Sequence, residues 1–513
     1  MTDDFLRRNS ARRAGFLLSA VALLAFATAC GSGNGGSGGG GGGGGNNGGF
    51  SQSSLKGQYT FTLRGIGTPD LINSFFFVEG GVFTADGNGN ITAGTDDIVF
   101  NFTAFSDSVT GAYAINTDGT GNIQFNFPGG GSSVYRITFS DASHFYMEEA
   151  DGFGTSGGSG EKQDTSAFAA TPSGTFVYQT HDLALGSATV GVINVASGAI
   201  TGTGDALSSG VLITPLTVTG SVQAPGSTTG RGTMTISDDT GTSSYLYYVV
   251  SAGKIRFLNT SAVSSLAIGQ AEAQTGGPFN AASFNGNYVF GSSGETTNVS
   301  GIHSVGLFTA DGAGHISAGT FDTVQDGNPV TNIGLNAGSS YIASANGRMD
   351  VLLNLSTGLV NEKILYMVSP SRAYFLVNDA VNVEDGTLDK QSTAAFSNSS
   401  MKGQYSFLMD GFDNNAQLPY RDRVGTWTPD GSGTVKTSYI ASGYVPTLPP
   451  AGAATANNLS GTYSVPANGR ATASVNNLSS NLLLYMVSGS SGYMLQADPG
   501  VDIGGAFTIQ PAQ

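Results

Sequence analysis

The chain holds one cysteine in 513 residues, so no intrachain disulfide can form and stability must come from burial alone. It holds one tryptophan and four histidines, and only 11% of its residues are charged. The charges lean acidic, to a formal net of −16. A surface of that sign repels phosphate backbones, which excludes nucleic acid as a partner on electrostatic grounds. Beyond residue 30 no apolar stripe recurs at helical spacing, so helices are not expected. No Gly-x-Ser-x-Gly elbow sits between a strand and a helix, so the usual serine-hydrolase nucleophile is missing. His144, His181, His303 and His315 show no metal-ligand spacing between any two of them. Glu148 and Glu149 are adjacent on one strand and therefore point to opposite faces, so they cannot converge on a glycosidic bond. The expectation is a protein that is not an enzyme and needs no cofactor.

What is present is glycine, at 78 residues, and short runs of Thr, Val, Tyr and Phe that suit strands broken by tight turns. The runs repeat. A Gly-x-aromatic opening recurs at Gly57-Gln58-Tyr59, Gly174-Thr175-Phe176, Gly286-Asn287-Tyr288 and Gly403-Gln404-Tyr405, with the glycines 117, 112 and 117 residues apart. A turn follows at Asp86-Gly87-Asn88-Gly89, Asp311-Gly312-Ala313-Gly314 and Asp430-Gly431-Ser432-Gly433, and is degenerate in the second copy at Ser197-Gly198. A third anchor is Tyr247-Tyr248-Val249, Tyr366-Met367-Val368 and Tyr485-Met486-Val487.

The fold expected is all-β: four tandem antiparallel domains, at 51–170, 171–280, 281–397 and 398–513, each an eight-stranded meander barrel. In the first copy the strands are expected near 58–63, 75–84, 90–100, 109–116, 122–127, 134–139, 144–149 and 161–168. The alternation of Tyr59, Phe61, Phe75, Phe77, Tyr113 and Phe125 with small or polar residues reads as barrel core. The rival architecture is an eight-bladed propeller built from half-copies. The order of signals, with Ala93-Gly94-Thr95 and Gly111-Ala112-Tyr113 after the first turn, is similar to the avidin-type calycins. That resemblance implies eight-stranded barrels, and with them the capacity to hold a small apolar ligand. It does not carry biotin binding over, because that site is walled by several tryptophans and this chain has only Trp427.

The front of the chain reads differently. Four arginines (Arg7, Arg8, Arg12, Arg13) precede an apolar run at 14–29 that is short for a bilayer span. Ala27-Thr28-Ala29-Cys30 resembles the lipobox of bacterial lipoproteins. The resemblance implies cleavage between Ala29 and Cys30, acylation of Cys30, and a membrane anchor through that lipid. Gly31 stands where many inner-membrane lipoproteins carry Asp, which implies the outer membrane of the cell envelope. The Arg12-Arg13 pair also resembles a twin-arginine export signal. Residues 30–50 form the lipidated cysteine and a tether, 19 residues of which are only Gly, Asn and Ser, reaching about 25 Å as a flexible coil. Removing 1–29 takes away two aspartates and four arginines and leaves about −18.

Asp86, Asp311 and Asp430 carry two readings. As cation ligands they would gather further oxygens for calcium. As hairpin residues they need only the glycines beside them, and the lone Asp among Gly and Asn favours the turn. The functional expectation is a non-catalytic array at the cell surface, for binding, adhesion or spacing, toward a glycan, a protein or a small apolar ligand.

Overall fold

The computed structural model describes residues 49–510 except 71–72, 152–153, 183–185, 262–264, 297–300, 393–394, 415–419 and 444–453. Ala29, Cys30 and the rest of the leader, with nearly all of the tether, lie outside the described residues. Among the described residues there is no α-helix, only strands and short 3-10 turns.

Barrel 1 runs through Lys56–Asp70, Asn73–Asp86, Asn90–Phe100, Thr103–Ile115, Thr120–Asn126, Ser132–Asp141, His144–Glu149 and Gly154–Lys162, and its first strand pairs with both the second and the eighth. That pairing closes one copy on itself, so the half-copies are not propeller blades. Barrels 2 and 4 close in the same way. Copy 3, called barrel 3 below, departs from the expected closed barrel: it is a nine-stranded sheet in which the fourth strand is split into Asn328–Gly334 and Ser340–Ala343, and the two pieces stand at its two edges. Two isolated bridges, His315 to Ser340 and Leu335 to Leu355, span the split. The eighth strand of copy 1 corrects the expectation at 161–168. The strand is Gly154–Lys162, composed largely of Gly and Ser, whose weak strand propensity hid it.

The lumen of barrel 1 is filled with rings. Tyr59, Phe61, Phe83, Phe125, Tyr135 and Phe145 are all at most 1% exposed, with neighbouring centroids 5.4–6.5 Å apart. Tyr113 joins them, while Phe77 packs in a separate small cluster with Ile98 and Phe100. The side chain of Phe75 lies outside the described residues. Trp427 is fully buried in the core of barrel 4 rather than at a turn surface. Each core also takes in a phenylalanine from just ahead of its copy: Phe50, Phe168, Phe279 and Phe396. These rings press on Gly119, Gly230, Gly347 and Gly469, which have φ between +65° and +93° and where a Cβ would come within 3.2 Å of the ring.

The four barrels form a closed ring rather than a string. Past each eighth strand stands a glutamine whose Nε2 donates to two backbone carbonyls of the next barrel. Gln163 reaches Val249 (2.7 Å) and Thr229 (3.2 Å) of barrel 2, and Gln274 reaches Met367 (2.8 Å) and Asn346 (2.9 Å) of barrel 3. Gln391 reaches Met486 (2.8 Å) and Asn468 (3.1 Å) of barrel 4. Gln510 reaches Phe139 (2.6 Å) and Asp118 (3.2 Å) of barrel 1, which completes the circle.

Three seams share a further device. Arg231 makes a bidentate pair with Asp97 of the preceding barrel at 2.7 and 2.8 Å, and Tyr248 donates to the same carboxylate at 2.8 Å. Arg348 and Tyr366 hold Asp205, and Arg470 and Tyr485 hold Asp322, in the same way. Such forks are stronger and more directional than single ion pairs. Each of these seams also has its own apolar cluster. At the seam of barrel 4 with barrel 1 the matching residues are Ile440, Thr120 and Thr138. The contact there is made instead by small and polar groups: Thr155 donates to Asp422 at 2.6 Å, Tyr146 meets Thr508 at 3.2 Å, and Gly157 lets Asp422 approach.

Candidate functional site

The first and eighth strands of every barrel turn one face to the ring axis, and between them lies a cavity of about 360 Å3. The residue five past the opening aromatic marks its rim in each barrel: Arg64, His181, Ser293 and Asp410. One register position thus holds four different chemistries, whereas the latching glutamine is the same in all four.

Strand alternation places these side chains. Tyr59, Phe61 and Leu63 point into the lumen of barrel 1, so Thr62 and Arg64 point out to the axis. Arg64 crosses the axis, donating from Nη2 to Asp410 Oδ2 at 2.8 Å and to Ser293 Oγ at 3.0 Å. Burial works against both charges. Arg64 nonetheless holds the Asp410 carboxyl below its usual range, and Asp410 holds the guanidinium above its own. His181 is seated between two carboxylates of barrel 3, with Nε2 3.0 Å from Glu295 Oε1 and Nδ1 on Asp385. Burial opposes the imidazolium, but Glu295 and Asp385 outweigh it and lift His181 to about 10. Arg256 donates to Glu161 (2.6 Å), Thr62 (2.9 Å) and both Ser159 oxygens (2.8 and 2.9 Å).

His303 differs from these charged lining groups. It is 4% exposed, and neither ring nitrogen has a hydrogen-bond partner among the described residues. Burial pushes it down to about 4; Asp410 opposes this, while the charges of Arg64 and His181 add to it. The ring fits because Gly504 and Gly411 of barrel 4 face it: a Cβ there would sit 2.5 Å from Cδ2 and 2.7 Å from Cε1. Ser293 stands opposite His303 in the strand register. Its oxygen is nevertheless held by Arg64, and no hydrogen bond joins the imidazole to Ser293 or Asp410.

The aspartates of the hairpins are elsewhere, at exposed turns, and their oxygens are taken by their own turns. Asp86 accepts from the N–H groups of Asn88 (2.6 Å) and Asn90 (3.0 Å), and Asp311 from those of Ala313 (2.7 Å) and His315 (3.0 Å). Asp430 accepts from the N–H groups of Ser432 (2.7 Å), Gly433 and Thr434 (both 3.0 Å). The Asn90 side chain and then those N–H groups hold the Asp86 carboxyl below the usual range, the Ser432 side chain and then the N–H groups do so for Asp430, and for Asp311 the N–H groups of His315 and Ala313 come first. Among the described residues no group of three His, Cys, Asp or Glu is placed to hold a metal ion. Glu149 points into barrel 1 with Phe145 and Met147, while Glu148 takes the opposite face.

Sequence reasoning missed the axial site because its members come from different copies and share no local motif. The available signal was His181 and His303, two histidines on strands of different copies. No protein-family model matches the chain, and no curated protein matches it. Among the described residues no helix is long and apolar enough to cross a membrane.

Proposed function

We propose that the chain is a lipid-anchored protein of the bacterial cell envelope whose four barrels act as one non-catalytic binding module, with the axial cavity as its site. The observation that carries the binding half is the contrast between repeated and unrepeated positions. The latching glutamines and core rings recur around the ring, while Arg64, His181, Ser293 and Asp410 differ at one register position. A ring that served only as a spacer has no use for four chemistries converging on a cavity. The packed aromatic lumen of barrel 1 favours an axial site over an apolar cargo inside that barrel.

The anchor rests on the lipobox-like residues ending at Cys30 and on the Gly-rich tether that follows. Mass spectrometry of the full chain purified from membranes tests it. The expected species begins at Cys30 and carries a diacylglyceryl group, with or without a third acyl chain, and Cys30→Ser leaves the chain uncleaved. A soluble chain that keeps residues 1–29 and an unmodified Cys30 would overturn the reading.

A further inference from the structure

We propose that the axial cavity binds an uncharged, hydroxyl-rich molecule of about the size of one monosaccharide; this deepens, and rests on, the binding reading above. The argument begins with what the charges are already doing. Arg64 is paired with Asp410, His181 with Glu295 and Asp385, and Arg256 with Glu161. A charged ligand entering the cavity would have to displace one of these buried partners and leave the other uncompensated. Neutral groups of the wall also carry hydrogen-bonding capacity that no protein partner takes up. His303 lies at the wall with both nitrogens unpartnered, and Gln179 Oε1 is buried without a partner among the described residues. The Gln270 amide and the Thr387 hydroxyl line the same space.

An imidazole held neutral offers one donor and one acceptor, and an amide offers both. Hydroxyl groups, which donate and accept from one atom, match such a wall better than a carboxylate or an ammonium does. Two tyrosines complete it. The hydroxyl of Tyr146 is tied to Thr508 and that of Tyr493 to Asp389 at 2.7 Å, so both phenols are fixed and their rings contribute apolar lining. The volume of about 360 Å3 falls at the small end of ligand pockets, which run from about 300 to 1,000 Å3. One six-membered ring bearing hydroxyls is small enough for such a space.

The test is saturation-transfer NMR on the full chain in detergent. The neutral probes are D-glucose and myo-inositol, and gluconate and glucosamine serve as charged probes of the same size. Transfer to a neutral probe is expected, falling at least tenfold in Ala506→Trp, which fills the cavity, and falling also in Gln179→Leu and His303→Leu. Each variant is scored with its melting temperature, and the two leucine variants decide the matter if the tryptophan variant fails to fold. Tighter binding of a charged probe, lost in the same variants, would overturn the neutral class while leaving the binding module standing. Absence of any transfer sensitive to these variants would mean the cavity holds ordered water only, and would overturn the proposal.

Discussion

Lys363 places an ammonium among benzene rings. It is fully buried on the sixth strand of barrel 3, Val360–Ser369, with Nζ 4.2 Å from the ring centroid of Phe290 and 4.6 Å from that of Phe375. Burial pushes the amine down to about 8 from its usual 10.5, with Glu384 pulling the other way. The matching positions of the other barrels hold Tyr135, Tyr245 and Leu482, so an uncharged side chain fits there. Between about pH 8 and 10.5 the unfolded chain binds a proton that the folded chain does not, so this group makes stability rise with pH across that window. Lys363→Met should abolish that slope and stabilise the protein at pH 7 by up to roughly 3 kcal/mol, less whatever the cation–π contacts return. Denaturant midpoints of the two proteins from pH 7 to 11 check it. Taking their difference removes His181, whose stabilisation is complete below about 6.5 and is lost as pH climbs toward about 10. Lys363 was readable as inward-facing from its phase with Leu365 and Met367. What the sequence could not convey is which rings surround it, since Phe290 and Phe375 come from other strands.

At the scale of elements, each barrel depends on a ring that precedes its first strand. Phe168 is 3% exposed in the core of barrel 2, against Gly230, where a Cβ would lie 2.3 Å from Cε1 of the ring. Phe168→Ala should destabilise barrel 2 by about 3–5 kcal/mol. Hydrogen exchange should show the loss of protection concentrated in 174–273, and loss spread evenly over all four barrels would count against this account. The strands themselves were largely readable: Asn90–Phe100 and His144–Glu149 fall where the alternation put them. The eighth strand was not, because Gly154-Thr155-Ser156-Gly157-Gly158-Ser159-Gly160 has no apolar alternation. It is a strand because its neighbours on both sides pair with it. Its small residues also let barrel 4 come close, which is a property of the seam and not of the strand.

For the whole molecule, the repeat was visible in the sequence and the ring was not. The glutamine latches lie in polar stretches beyond the last strands and find their carbonyls 66 to 95 residues onward in three cases. The fourth runs backward over 371 and 392 residues, a contact that no local pattern announces. In the first three cases four residues lead from the glutamine to the phenylalanine of the next barrel: Gln163 to Phe168, Gln274 to Phe279, Gln391 to Phe396.

Gly119 carries a consequence of this. A Cβ there would lie 2.8 Å from Gln510 Nε2 and 2.9 Å from the ring of Phe50, so the last latch and the first ring meet at one glycine. The stretch from Phe50 to Gln510 is therefore one joint short of a continuous loop. Joining Gln510 to Phe50 through four residues, and opening the chain between Gln274 and Phe279 instead, should give a circular permutant that is monomeric and keeps the parent's melting temperature within a few degrees. An aggregated or markedly less stable permutant, judged by light scattering and calorimetry, would mean that the order of synthesis matters as well as the closed arrangement. If it folds, the closed arrangement tolerates a break at a joint between barrels 2 and 3 as well as at the seam of barrels 4 and 1.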